Sequence, residues 1–281
     1  MRKVNVKIDE MEQYIAAVQM NCVVGDVKKN TDTVLRALTH LKESERGTEL
    51  AVFPEMCLYG YDAFEHLSDP GTEQEIRESI EQIAQMCKKL SIDAVIGAPY
   101  FSDGHVENAL FYLDRQGQSK KVYAKTHLIA AEQSFITAGG SYGICQTPFG
   151  KAGFLICWDS AFAENARLYR QAGAELLIIS AAWEIPYQRQ WKLAVCARAF
   201  DNALPVVAAN RTGKDGTAVF AGNSMIVDGM GNILSENPTM EEGDCKMEAV
   251  KWMDASDRSD FGSQPEELRN GLYQMKHMKF F

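Results

Sequence analysis

Along most of this sequence, short apolar runs take turns with longer segments whose apolar residues recur at helical spacing. Residues 15–20, 50–53 and 94–97 read as strands. Between them, residues 30–41 place Val34, Leu35, Leu38 and Leu41 on one helix face, and residues 73–90 do the same with Ile76, Ile80, Ile83 and Met86/Cys87. Residues 108–113 and 121–124 flank an Asp-Arg-Gln-Gly-Gln turn and read as a hairpin. The second half repeats the rhythm. Strands are expected at 152–157, 176–180 and 206–209, and helices at 161–171, ended by Gly173, and at 187–202, after Pro186. A second hairpin spans 224–227 and 233–234, around Asp-Gly-Met-Gly-Asn. Strands that alternate with helices and end in hairpins imply an α/β protein whose helices cover sheet faces. No Ser/Gly-rich linker separates the halves, so residues 1–281 are expected to form a single domain, with a core at about 14–236 and a polar C-terminal extension at 237–281.

Charge and cysteine usage narrow the class. The chain carries 29 basic and 38 acidic residues, a net charge of −9. That disfavours a nucleic-acid binder and electrostatic docking on anionic membranes. No apolar run reaches the length of a membrane span, and the N-terminus lacks the apolar centre of a signal peptide, so a cytoplasmic protein is expected. The seven cysteines are scattered without CxxC spacing, which argues against a disulfide framework and a structural zinc site.

Three residues could carry chemistry. Cys157 lies between a strand and a helix start, where a thiol is held rigidly near unpaired backbone N–H groups that stabilise thiolate and oxyanion. The plainer reading is a buried strand cysteine. Lys125 ends the strand KKVYA and Glu55 follows LAVFP. Among Phe53, Pro54, Met56 and Leu58, a carboxyl at 55 would be poorly solvated, its pKa raised and suited to proton transfer. Taken singly, each is more simply a solvated surface charge. All three, however, sit at strand ends, where residues of α/β sheets meet in one crevice. Of the five histidines, only His127 lies beside another candidate, so spacing leaves a Cys–His protease open without favouring it. Trp183, at a strand end, and Tyr61, after the Glu55 loop, are either pocket-lining or core aromatics. Arg198 and Asn202 read as fold residues, and Asp159 as a cap of the following helix.

The segments LAVFPEMCLYGY, KTHL and GFLICWDSAF together resemble the nitrilase superfamily of carbon–nitrogen hydrolases. IAAVQMNCVVGDVKKN, AGAELLIISAAW, ARAFDN, AANRTG and FAGNSMIVDGMGNIL extend the likeness, in order, over roughly residues 14–236. The resemblance implies a four-layer α-β-β-α sandwich. It implies Glu55 as general base, Lys125 as oxyanion stabiliser and Cys157 as nucleophile. Glu132, seven residues before Gly139, would be the second glutamate, orienting Lys125 or aiding proton transfer. The backbone N–H of Trp158 would join Lys125 at the oxyanion. Two departures, Ala163 and Ala138 where the family often has proline, lie away from these groups.

The implied chemistry is attack of Cys157 on a carbonyl carbon, loss of ammonia or an amine, and hydrolysis of the thioester, with neither metal nor cofactor. Cys-Trp-Asp favours a small amide or N-carbamoyl substrate over a nitrile. A nitrilase acting on a nitrile, a soluble N-acyltransferase and a non-catalytic oligomeric binding protein on the same scaffold are the competing readings. Family resemblance also implies a homodimer or larger homo-oligomer, with the helix at 187–202 as a contact.

Overall fold

A computed structural model describes residues 13–43, 47–61, 63–238 and 245–252. The first half runs β1 (Tyr14–Met20), α1 (Val27–Glu43), β2 (Thr48–Val52), α2 (Thr72–Leu90), β3 (Asp93–Ser102), β4 (His105–Leu113) and β5 (Ser119–Ala124). The second runs β6 (Cys145–Thr147), β7 (Gly150–Ile156), α3 (Ala163–Gln171), β8 (Leu176–Ala181), α4 (Gln188–Asn202) and β9 (Val206–Asn210). A two-stranded ribbon of β10 (Lys214–Asp215) and β11 (Ala218–Val219) follows, then β12 (Ser224–Val227), β13 (Ile233–Asn237) and β14 (Cys245–Lys251).

The strands form two six-stranded sheets, in the orders β14-β1-β2-β3-β4-β5 and β13-β12-β9-β8-β7-β6. Each has a parallel centre, β1-β2-β3 or β7-β8-β9, because a helix crosses over between successive strands. Antiparallel strands flank both centres.

Alternation along the strands explains the layering. In β1, Ile15 and Ala17 face the second sheet, whereas Ala16, Val18 and Met20 face α1 and α2. On the far side, Tyr169 of α3 and Trp191, Val195 and Ala199 of α4 cover the second sheet. The order is helices, sheet, sheet, helices, the expected α-β-β-α sandwich. Each fully buried Leu, Ile or Phe in these layers contributes about 1.5–3 kcal/mol.

Several elements differ from the sequence-based expectation. Strand β14 lies in the stretch read as an extension, yet it pairs antiparallel with β1 at the sheet edge. The strand expected at 94–97 continues to Ser102 and turns at Asp103–Gly104 into β4, so the first meander has one more hairpin than expected. Helix α3 begins at Ala163 rather than 161, because a 3-10 turn, Cys157–Ala161, intervenes after β7. Residues 253–281, with His277, lie outside the described residues.

Candidate active site

Strands β2, β5 and β7 end at the same side of the sandwich, and each is followed by a predicted site residue. After β2 the chain passes Pro54 to Glu55 and turns back through Met56, whose φ of 50° is left-handed. The turn packs onto β3 because Gly97 lacks a side chain: a Cβ there would stand 2.4 Å from the Pro54 carbonyl oxygen and 2.9 Å from Glu55 Cα. Asn30 of α1 fastens the far end of the loop, its amide donating to the Leu58 carbonyl at 3.1 Å.

Lys125 directly follows β5. Its N–H donates to the Asn108 carbonyl at 2.8 Å, and its own carbonyl accepts from Gly139 at 2.8 Å. Gly139 can lie this close only as glycine, since a Cβ would meet the Ala124 carbonyl oxygen at 2.3 Å. Between them a turn carries Glu132, whose Oε2 accepts the Ile129 N–H at 2.9 Å.

Cys157 follows β7 with φ of 48°, a left-handed conformation unusual for a side chain of this type. The 3-10 turn that begins there is held by Ser160 Oγ donating to the Cys157 carbonyl at 2.7 Å. The helix start expected beside the thiol is therefore this short turn and not α3, and the backbone group that hydrogen-bonds the sulfur is that of Ala182.

Glu55, Lys125 and Glu132 are fully buried. Lys125 Nζ donates to Glu55 Oε1 at 2.9 Å and to Glu132 Oε1 at 2.8 Å, with Tyr61 Oη at 3.4 Å. Asn108 Nδ2 donates to the same two carboxylate oxygens, at 2.7 and 3.2 Å. Four groups thus close a ring of two donors and two acceptors. Glu132 has both oxygens engaged, whereas Glu55 Oε2 is buried with no partner.

Burial raises the Glu55 pKa, opposed by Lys125 and by the Asn108 hydrogen bond. For Lys125, burial favours the neutral amine but is outweighed by Glu55 first, then Tyr61, Cys157 and Glu132, so the ammonium is held well above its usual range. Burial likewise pushes the Cys157 thiol up, with Glu55 adding to the effect and Lys125 opposing it. Burial and Glu55 thus both favour the thiol over the thiolate.

Asp159 does not cap α3, whose N-cap carries no side-chain hydrogen bond. Its fully buried carboxylate instead clamps two segments together. On the Lys125 side it accepts from the His127 N–H at 2.8 Å, Thr126 Oγ1 at 2.9 Å and Tyr123 Oη at 2.9 Å. On the Cys157 side it accepts from the Ile156 N–H at 3.2 Å. His127 belongs to this clamp, with Nδ1 2.9 Å from Asp159 Oδ1 and its ring stacked on Phe162. The Cys–His pairing left open by spacing has no hydrogen bond to support it.

Cys157 opens into a cavity of about 970 Å³. Tyr61, Trp158 and Trp183 all line it, and Tyr61 and Trp183 also pack into the cores behind it. Trp158 is 40% exposed, and its ring lies 5.6 Å from that of Trp183. Arg198, read as a fold residue, does both jobs: it lines the cavity and donates to the Ser160 carbonyl at 2.9 Å. Among the described residues, no group of three or more His, Cys, Asp or Glu could hold a metal ion.

Two contributors escaped the sequence reading. Asn108 appeared only as the first residue of a strand. Arg211 and Asp215 form a buried ion pair whose carboxylate accepts the Tyr61 N–H at 3.1 Å and so fixes the loop after Glu55. A polar residue in an apolar strand was the available signal for Asn108, but a strand-end asparagine is ordinary on a surface.

Residues 14–250 match the family model described as carbon–nitrogen hydrolase. A probable nitrilase of Schizosaccharomyces pombe is 34% identical over 239 residues, spanning 83% of this chain and 87% of that protein. The 2-oxoglutaramate amidase of Bacillus subtilis is 30% identical over 268 residues, spanning 94% of this chain and 100% of that protein. In fold, an amidase of the nitrilase superfamily from Nesterenkonia AN1 superposes with a TM-score of 0.79 at 20% identity, covering 95% of this chain and 97% of that one. This chain belongs to the carbon–nitrogen hydrolase family, as an amidase-like enzyme of the nitrilase superfamily.

Proposed function

We propose that the enzyme hydrolyses a small amide or N-carbamoyl compound through a thioester on Cys157. The observation that carries this reading is the unequal engagement of the two buried carboxylates. Glu132 has no oxygen to spare, and Glu55 has one. Glu55 is the base: Oε2 takes the Cys157 proton as sulfur attacks the carbonyl carbon. The oxyanion that forms meets Lys125 and the Trp158 N–H. Glu55 then delivers the proton to the departing nitrogen, and ammonia or an amine leaves. Water enters, gives a proton to Glu55 and attacks the thioester. The acid is released and the thiol recovers its proton. Glu132 takes no proton and holds Lys125 in line. Tyr61 and Trp183 shape the pocket around the acyl group.

We take residues 1–281 as one domain, supported by the core shared between the two sheets. A homo-oligomer is supported by exposed Leu168 on α3 and exposed Leu193 and Phe200 on α4. A cytoplasmic enzyme is supported by six free cysteines among the described residues. No helix of the described residues is long and apolar enough to cross a membrane.

The test is release of ammonia or amine across a panel of small amides, ureido compounds and nitriles, with Cys157→Ala beside the wild type. Release from an amide or ureido compound that vanishes in the variant is the expected result. Equal release by both proteins would remove Cys157 from the chemistry, and release from nitriles alone would overturn the substrate class.

A further inference from the structure

We infer that Asn108 is a positioning residue for the base: its amide holds Glu55 so that Oε2, and no other oxygen, is free for the proton of Cys157. The inference rests on the reading of Glu55 as base.

The geometry argues for a role beyond folding. Asn108 is fully buried on β4. Its Nδ2 bridges Glu55 Oε1 and Glu132 Oε1, the pair of oxygens that Lys125 also bridges. The amide must present nitrogen here, because its oxygen would face two carboxylates. In that orientation Oδ1 is buried and has no partner. A buried, unpaired carbonyl is a cost that an apolar residue of the same size would avoid. What only the amide supplies is a second, uncharged donor between two carboxylates that otherwise share one ammonium.

Three consequences follow. Asn108 and Lys125 together hold Oε1 from both sides, which fixes the plane of the Glu55 carboxylate and the direction of Oε2. A neutral donor favours ionised Glu55 without placing a second cation beside the thiol. The Asn108 carbonyl also accepts the Lys125 N–H, so one residue sets the backbone of the lysine and the side chain of the base. Loss of the amide should therefore alter when Glu55 ionises as well as where it points.

The experiment reads this without a known substrate. Iodoacetamide alkylates a thiol, forming the sulfur–carbon bond as iodide leaves and the base takes the proton. The rate at Cys157 is followed by mass spectrometry of its peptide across pH, in wild type, Asn108→Leu, Asn108→Ala and Glu55→Gln. In the wild type the rate should fall at low pH as Glu55 is protonated, and Glu55→Gln should lack that limb. In Asn108→Leu the limb should move to higher pH by about one unit, as expected for loss of one hydrogen bond to a charged group. Asn108→Ala, where water can enter and donate, should move it less. It also serves if the leucine variant fails to fold. A limb unmoved in a folded Asn108 variant, with the Glu55→Gln profile flat, would overturn the role of Asn108 alone. A limb that persists in Glu55→Gln would overturn Glu55 as base and this inference with it. Amide turnover should fall about tenfold in kcat with little change in KM, the pattern of an interaction made in the transition state.

Discussion

Two buried ion-pair clusters flank the Tyr61 loop, and they are built to opposite ends. In the first, Arg211 and Asp215 are both buried, and no side-chain nitrogen or oxygen of either is left without a partner. Arg211 Nη2 donates to Asp215 at 2.9 Å and to the Cys22 carbonyl at 2.7 Å, Nε reaches the Thr212 carbonyl, and the guanidinium stacks 4.2 Å from the Phe220 ring centre. In the second, Lys125, Asn108, Glu55 and Glu132 are equally buried, yet Glu55 Oε2 and Asn108 Oδ1 have no partner. A closed pair holds a loop. A pair left open at one oxygen can accept a proton. Burial is alike in both; the open cluster sets two carboxylates against one ammonium and leaves one of their oxygens unsatisfied.

Substitutions at the two clusters should have different consequences. Lys125→Met should have the largest effect, because it leaves two buried carboxylates without a cation and removes the proposed oxyanion partner. Turnover should fall at least about a thousandfold, and unfolding free energy should drop by about 3–5 kcal/mol. Steady-state kinetics and urea unfolding on the same preparation check both. Asp215→Asn should cost stability alone. Breaking the closed pair is worth about 3–5 kcal/mol. Turnover per folded molecule should stay within about tenfold of wild type, because the asparagine oxygen can still accept the Tyr61 N–H. Asp159→Asn lies between the two. It sets an NH2 against donors from both clamped segments, so turnover should fall by about ten- to a hundredfold, with a lower thermal midpoint.

The smallest expected effect is on pH. Glu55 in the folded protein binds its proton above the ordinary value of 4.5. Its contribution to stability is therefore complete below that value and is lost as pH rises through the folded pKa. Glu55→Gln cannot lose it. The thermal midpoint of the variant should gain on wild type from about pH 4.5 upward and level off above the folded pKa. Midpoints that run parallel across the range would mean that Glu55 carries no such shift.

Much of this architecture was legible in the sequence, for a physical reason: the β-α rhythm is set by local periodicity. The strands of both parallel centres, the hairpins at 108–124 and 224–234 and the four helices of the described residues could be read from it, whereas β6, the β3–β4 hairpin and the β10–β11 ribbon could not. Strand β14 could not, because its partner is β1, more than two hundred residues away, and its lysines resemble a solvated tail. At the site, Cys157, Lys125 and Glu55 shared one trait, a strand end, and the family motifs supplied their roles. Burial was the hidden quantity. A lysine is solvated by default, and nothing near Lys125 in sequence announces the two carboxylates that compensate it. Asp159 was misread because an aspartate before a helix usually caps it, whereas this one reaches across to the segment at 123–127. Asn108 was invisible since its partners come from two separate loops, after β2 and after β5.

The most direct test of the open cluster is turnover of Glu55→Gln on whichever amide or ureido compound the panel identifies. The substitution keeps the shape and replaces the free oxygen's charge. Turnover should fall at least about a thousandfold while the thermal midpoint at neutral pH holds or rises. Turnover within tenfold of wild type would mean that the unpartnered oxygen is not the base, and the account of the site would fail.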